Sequence, residues 1–374
     1  WNSRWKGWII TAYDDVVQVL RDRQHFSANR LAAWARDRDP EEVERYRYLL
    51  TYTEKRPSFL DPPEHTRIRA LVNAHFTPIV VERKRSRIRR IVDELLDEII
   101  DQRQAEIVGA FTYRLPLIVL CEYLGVPADD EERELVRQWS LDLGSFIVTE
   151  AGDPRRFDRA QDAAHAFVRF LEPIVRARKA APRDDLLSAM IQTQREGDGL
   201  SDVELLTLTI NFLFAGHETT SATIANGILA FSWHRDQWEL LRQNPSLIGR
   251  AVEEVLRYKG ATKALSRFAT ADVEIGGRTI HAGDKCLVVL ASANRDPSRF
   301  PDPFRFDITR APNPHVTFGS GHHTCLGGPL ARIELQEVFL ALTERMPHLR
   351  VPEQALEYHP TLVTHSLKRL YVEW

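Results

Sequence analysis

Phe318-Gly-Ser-Gly-His-His-Thr-Cys-Leu-Gly-Gly-Pro-Leu-Ala-Arg332 decides how the rest of the chain is read. Cys325 stands in a loop with Gly319, Gly321, Gly327 and Gly328, residues that accept positive φ and let backbone approach a flat ligand closely. Pro329 suits a first helical turn, and Leu330, Ile333, Leu335, Val338, Leu340 and Leu342 follow at roughly helical spacing. The spacing predicts that Cys325 lies at or just before a helix N-terminus, where the helix dipole and free N–H groups stabilise a thiolate.

A lone thiolate on a glycine-rich loop can hold the iron of a haem from one side, pushing electron density toward O–O cleavage. Taken by itself, the stretch also allows a buried structural cysteine. Zinc fits less well. A structural zinc normally takes four Cys or His ligands, and only His322, His323 and Cys325 cluster here.

Working outward, 374 residues with 43% hydrophobic and 28% charged side chains make a globular chain with a sizeable core. A net charge of -3 gives no global reason to expect nucleic acid or an anionic membrane as partner. Cys121, Cys286 and Cys325 are far apart and odd in number, which is a poor disulfide framework and suits a reducing cytoplasm. No N-terminal signal pattern is visible, and the longest apolar run, around residues 205–216, is well short of the roughly 20 residues a membrane span needs. A soluble, cytoplasmic monomer is expected. The chain opens at Trp1, so a native start upstream of it is also expected.

Residues 7–12 read as a strand and 14–22 as a helix capped near Tyr13 or Asp14. Residues 28–60 mix charges and aromatics without a period, predicting a short helix in a long loop or a mobile segment. Asp61-Pro-Pro-Glu64 opens a helix carrying His65, Arg69, Leu71 and Phe76, and residues 80–100 read as one half-buried helix. Further helices are predicted at 113–124, 130–149, 155–179, 184–195 and from Pro245 to about Tyr258. The longest spans 201–233, opened by a capping box of Ser201 and Glu204 and apolar almost all round, hence central and buried. Beyond it, 273–280 reads as a strand, a Gly-Gly turn and a strand, 285–290 as a third strand, 294–314 as a meander and 362–374 as a last β-hairpin. With no repeat or dividing linker, the expectation is one domain over 1–374, mainly α with a small β portion (α+β).

Within the central helix, Ala215-Gly-His-Glu-Thr-Thr220 interrupts the apolar pattern. Mid-helix Gly216 costs roughly 1 kcal/mol relative to Ala, and a buried Glu218 must find partners. One reading is a close helix crossing at Gly216, with Thr219 bonding back to its own turn. The functional reading is that Gly216 opens room for a small ligand and Thr219 bonds the Ala215 carbonyl and loosens the ladder. Glu218 beside it then completes an acid and alcohol pair able to relay protons into a dry site. Glu254 and Arg257 stand at i,i+3, where a solvated surface pair is the common explanation. His65, Arg69 and Arg267 are either ordinary surface charges or, if a haem is present, donors to its propionates.

Together these motifs, in this order and spacing, resemble those of the cytochrome P-450 family, soluble bacterial-type branch, along essentially the whole chain. Phe318 to Gly327 matches the family's cysteine loop F-G-x-G-x-H-x-C-x-G, Ala215 to Thr219 its oxygen-binding helix motif, and Glu254 to Arg257 its E-x-x-R. The resemblance implies a haem b held between the long central helix and the cysteine-loop helix, with Cys325 as axial thiolate. Phe318 then packs on the proximal side, Gly319 and Gly327 shape the loop, and His65, Arg69, Arg267 and His323 hold the propionates. It implies that oxygen binds beside Ala215 and Gly216, that Glu218 and Thr219 supply protons, and that Glu254 and Arg257 are buried scaffolding with a third partner among Arg305, Arg310 and His315.

The implied activity is a monooxygenase placing one atom of O2 into a hydrophobic small molecule by hydroxylation or epoxidation. Electrons come from a ferredoxin and its reductase or a similar donor, docking near Arg67, Arg69 and the helix after Cys325. Candidate pocket walls are residues 28–60, Phe146, Ile147, Asn211, Phe214, Lys263, Ala264, Leu265, Val363 and Thr364, with a solvent-facing Lys263 as the plainer reading. The substrate class expected is a terpenoid, steroid, polyketide or fatty acid. The rivals are a peroxide-driven haem-thiolate enzyme and a non-catalytic haem-binding sensor or carrier.

Overall fold

The computed structural model describes residues 1–36, 38–147, 153–194 and 198–374. The first part of the chain runs β1 (Trp8–Ile10), α1 (Tyr13–Arg21), β2 (Phe26–Ser27), α2 (Arg30–Arg36), α3 (Pro40–Arg45), α4 (Arg47–Glu54), α5 (Glu64–Asn73), α6 (Pro78–Glu82) and α7 (Arg85–Asp97). It continues through β3 (Gln104–Glu106), α8 (Arg114–Leu124), α9 (Asp130–Ile147), α10 (Arg156–Ala180), α11 (Leu186–Thr193), α12 (Asp202–Trp233), α13 (Arg235–Gln243) and α14 (Ile248–Lys259). The last part holds β4 (Leu265–Ala269), β5 (Val273–Ile275), β6 (Arg278–Ile280), β7 (Lys285–Val288), α15 (Leu290–Ala293), α16 (Gly328–Arg345) and β8 (Tyr371–Glu373).

The central helix forms as its sequence dictates. Ser201 accepts from the Glu204 backbone N–H at 3.2 Å and the Glu204 carboxylate accepts from the Ser201 N–H at 2.8 Å, so α12 starts on a reciprocal cap. Its first half packs through Leu205, Leu208 and Leu213 into a core shared with α4, α5 and α8 to α11. Its second half packs through Ile224, Ile228 and Phe231 into a core shared with α7, α13, α14 and α16. A third apolar cluster lies between α1 and a four-stranded sheet of order β1-β7-β4-β2. In that sheet β1 is parallel to β7, while β4 is antiparallel to both β7 and β2. Gly276 (φ 55) and Gly277 (φ 70) turn β5 into β6 in the left-handed region that a two-residue hairpin loop needs.

Several expectations are corrected. Residues 28–60 hold α2, α3 and α4 and a 3-10 turn at Pro57–Phe59, not one short helix in a loop. Pro40 opens α3 behind Asp39, whose side chain accepts from the Glu41 N–H, and Leu49, Leu50 and Thr53 bury one face of α4. The helix expected over 80–100 is two helices, broken at Arg83 and Lys84. The C-terminal hairpin is replaced by a long-range pairing in which β8 runs antiparallel to β3, with Gln104 opposite Glu373 and Glu106 opposite Tyr371. Arg235–Gln243 forms a helix of its own that the reading did not separate. The expected ends of two helices, at Val148, Thr149 and Arg195, lie outside the described residues. Among the described residues no helix is long and apolar enough to cross a membrane.

Candidate functional site

Four local structures meet at one cavity of about 280 Å³. The cysteine loop supplies Phe318, His323, Cys325, Leu326 and Gly327 to its wall; α12 supplies Asn211, Ala215, Gly216, Thr219 and Thr220; α5 and β4 supply His65, Arg69 and Arg267.

The loop is closed by a 2.8 Å bond from the Cys325 N–H to the Phe318 carbonyl, with Gly319 and Gly321 both at φ 75. A side chain at 321 would also press on the α1 backbone, 2.9 Å from the Leu20 carbonyl, so glycine is required there twice over. The Cys325 sulfur opens into the cavity yet lies deep inside the molecule. Burial pushes its thiol up, opposed by the N–H groups of Gly327 and Gly328 and by the guanidiniums of Arg69 and Arg332. The expected helix start is present, since Gly327 caps α16. Phe318 is held from behind by Arg332, whose guanidinium lies 4.5 Å from the ring centroid and pairs with Glu253 at 2.6 Å.

On the other wall, Thr219 Oγ1 donates to the Ala215 carbonyl at 3.0 Å, as expected. Thr220 and Thr223 make the same bond to Gly216 and Thr219. Gly216 serves both readings, for it lines the cavity and a Cβ there would meet Leu120 Cδ1 of α8 at 2.7 Å. Glu218 is not brought beside Thr219. No hydrogen bond joins them among the described residues, and Glu218 lines a separate space of about 50 Å³ with Tyr113, Ser221, His359, Ser366 and Lys368. One residue along a helix is a turn of about 100°, so neighbours in sequence face different spaces. Burial pushes the Glu218 carboxyl up to about 7.

The cationic edge is crowded. His65, His322 and His323 cluster with ring centroids within 5.2 Å of one another, edge-on or tilted rather than stacked. Both ring nitrogens of His65 and Nε2 of His323 are buried without a hydrogen-bond partner. Burial with the nearby cations drives His65 down to about 4 and His323 to about 2, and burial brings Arg267 to about 10. Only Asp61 acts against this, on His65 and Arg267. Arg69 donates to the Thr324 carbonyl in the cysteine loop. Asp61 alone leaves such an edge short of anions, and the two carboxylates of a flat ligand seated over Cys325 would supply them.

Glu254 and Arg257 are fully buried, which corrects the surface-pair reading. Arg257 also donates to the carbonyls of Asn294, Pro303 and Arg305. Of the three candidate partners, Arg310 reaches Glu254 at 3.2 Å; Arg305 offers its carbonyl alone, and His315 pairs with Glu253 at 2.9 Å.

Of the expected pocket walls, Asn211, Leu265 and Val363 line the cavity. Phe214, Lys263, Ala264 and Thr364 do not: Phe214 packs toward Gly144 of α9, Lys263 donates to the Thr361 carbonyl at 2.8 Å, Ala264 is buried, and Thr364 lies 3.3 Å from the Thr361 hydroxyl. Phe146 lines a second cavity of about 510 Å³, which shares Arg30, Ser266, Arg267 and Val363 with the first. The side chain of Ile147 lies outside the described residues. Arg67, expected on a docking surface, is engaged by Glu204 and the carbonyls of Asp198 and Gly199. Sequence reasoning missed Glu334 of α16, which lines the cavity with Oε2 unpartnered and its carboxyl pushed by burial to about 8. The only signal was an acid among the apolar positions of that helix.

A model of the family described as Cytochrome P450 matches residues 146–360. The chain is 40% identical to 6-deoxyerythronolide B hydroxylase of Saccharopolyspora erythraea, over 91% of this chain and 83% of that protein. It is 36% identical to mycinamicin IV hydroxylase/epoxidase of Micromonospora griseorubida, over 99% of this chain and 90% of that one. The chain belongs to the cytochrome P450 family. The crystal structure of P450BioI in complex with acyl carrier protein ligated by hexadec-9Z-enoic acid superposes with a TM-score of 0.90, at 34% identity, covering 98% of this P450 and 92% of that chain. The protein is thus a bacterial-type P450 monooxygenase with the P450 fold and haem b on a cysteine thiolate. It works with a substrate, O2 and an electron-transfer partner.

Proposed function

We propose that this P450 hydroxylates or epoxidises a medium or large hydrophobic molecule of the terpenoid, steroid, polyketide or fatty-acid kind, in the cavity between Thr219 and Cys325. The observation that carries the reading is that these two side chains line one cavity from two different elements, α12 and the cysteine loop.

Cys325 would hold the haem iron through its thiolate, itself stabilised by the backbone N–H groups of Gly327 and Gly328. Phe318 would shield that sulfur, and His65, Arg69, Arg267 and His323 would hold the propionates, which would give the orphaned ring nitrogens their partners. Haem b, when bound, supplies the activation of O2. Gly216 leaves backbone open where oxygen arrives. Thr219, anchored on Ala215, holds a hydroxyl proton at the edge of the cavity, and Glu218 recharges it from the far side of α12. Glu254, Arg257 and Arg310 fix the meander that carries the cysteine loop. The apolar walls exclude water and orient the substrate.

The electron donor is a ferredoxin with its reductase, meeting the face beside α16. Unpaired thiols suit the cytoplasm, and the exposed large apolar residues, such as Ile79, Leu135 and Phe304, belong to separate elements, which suits a monomer. The packing of α12 into both helical cores supports one haem domain over the whole chain.

The test is the spectrum of the reduced, carbon monoxide-bound protein. A thiolate-type Soret band is expected for the wild type and its loss for Cys325→His. If the band survives in that variant, the ligand assignment fails.

A further inference from the structure

Glu218 lies deep in the molecule yet keeps accessible surface, because it lines the small space behind α12. That space holds about 50 Å³, and at roughly 10–15 Å³ for each water it has room for a short file of them. Its walls call for water. Ser366 is 6% exposed, and its Oγ finds no hydrogen-bond partner among the described residues. Ser221 lines the same space, its Oγ 3.1 Å from that of Thr112. A buried hydroxyl without a partner is costly, and a polar space of this size supplies one as bound water.

A surface cavity of about 540 Å³ stands next to this chamber, with exposed Gly109, Asp130 and Glu134 in its lining. Val108, Tyr113, Arg137 and Lys368 line both spaces, so these side chains stand between solvent and the chamber. Lys368 and Arg137 are 47% and 34% exposed, and side chains so exposed change rotamer within nanoseconds. Tyr113 is held more firmly. Burial brings His217 down to about 4, so its ring is neutral. Its Nδ1 faces the Leu213 carbonyl and carries the ring proton, which leaves Nε2 to accept from the Tyr113 hydroxyl at 3.0 Å. The Arg137 guanidinium lies 5.2 Å from the Tyr113 ring centroid.

We propose that this chamber holds water and takes protons from solvent past Tyr113, with Tyr113, Ser366 and Lys368 positioning the supply. The inference rests on the reading that Glu218 recharges Thr219. A proton that leaves Glu218 toward Thr219 is replaced by one from the adjoining water, that water takes one from the next, and the last draws on solvent. Each transfer leaves the carboxyl protonated and the file neutral. His217 engages the phenol hydrogen of Tyr113, which makes Tyr113 a wall of the route and not a link in it.

The haem-loaded protein is mixed into D2O in mildly acid buffer, where Glu218 keeps its proton, and the C=O stretch of the protonated carboxyl is followed by infrared. Its absence in Glu218→Gln assigns the band. The wild-type carboxyl is expected to exchange, at a rate unchanged when phenylimidazole fills the cavity beside Cys325. Ser366→Leu, which plugs the chamber with apolar bulk, should slow exchange about tenfold or more, because an apolar space stays dry. Tyr113→Ala should quicken it. A wild-type band that does not exchange, an exchange slowed by phenylimidazole, or a rate unmoved by Ser366→Leu or by Tyr113→Ala would each overturn the proposal. If Ser366→Leu does not take up haem, Ala222→Leu fills the same space from α12 and decides in its place. Coupling lost in Glu218→Gln together with unslowed exchange in the plugged variant removes this inference alone, whereas full coupling in Glu218→Gln removes the parent reading and this one with it.

Discussion

Arg257 donates from Nε and Nη2, each at 2.8 Å, to the two carboxylate oxygens of Glu254, and neither side chain has any exposed surface. Glu254 also accepts from the Asp307 N–H at 2.9 Å and from Asn313 at 3.1 Å, so the pair ties α14 to the meander on both sides. Glu254→Gln leaves a buried guanidinium short of its counter-charge. It should cost about 3–5 kcal/mol, the usual result of removing one member of such a pair. Chemical denaturation checks this, and haem content should fall with stability.

Thr219→Ala removes the side-chain hydroxyl bonded to the Ala215 carbonyl and should separate electron consumption from product. We expect product per reduced nicotinamide cofactor to drop about tenfold or more, a modest share of what a positioned proton donor contributes, with hydrogen peroxide released in its place. Equal coupling in both proteins would favour a peroxide-driven enzyme.

Glu218 sets a pH dependence whose sign is fixed. Burial lifts its carboxyl from 4.5 to about 7, so the folded protein holds this proton more tightly than the unfolded chain. The stability gained is complete below the unfolded value and is lost as pH rises through about 7. Glu218→Gln has no proton to lose, and its unfolding midpoint should therefore rise relative to wild type across that window. In turnover, the protonated acid is the donor, so coupled product formation should fall as pH climbs through about 7 and be lower and flatter in the variant.

Gly216→Ala would place a methyl group 2.7 Å from Leu120 Cδ1. Overpacking of this kind costs about 1–3 kcal/mol, against roughly 1 kcal/mol returned by better helix propensity. A net loss is expected in thermal unfolding, and Leu120→Ala in the same chain should restore part of it relative to Leu120→Ala alone.

The parts of the fold that could be read early share a local cause. The capping box of α12 lies within four residues, and the cysteine loop carries its glycines, its thiol and its helix start within eleven. What escaped was decided at a distance. β8 finds its partner in β3 more than two hundred and fifty residues away, and no hairpin pattern announces that. The break between α6 and α7 has neither glycine nor proline, and α2 to α4 are too short for a period to stand out among their charges. At the site, residue types were legible but directions were not. Glu218 and Thr219 read as a pair because they are adjacent, and the helical rotation sends them into different spaces.

That rotation makes α12 a dividing wall. Glu218, with Tyr113, Ser366 and Lys368, lines a space that shares no residue with the cavity lined by Thr219 and Cys325. On the proposed function, a bulky apolar substrate that fills and dries the larger cavity therefore leaves the surroundings of the Glu218 carboxyl as they are.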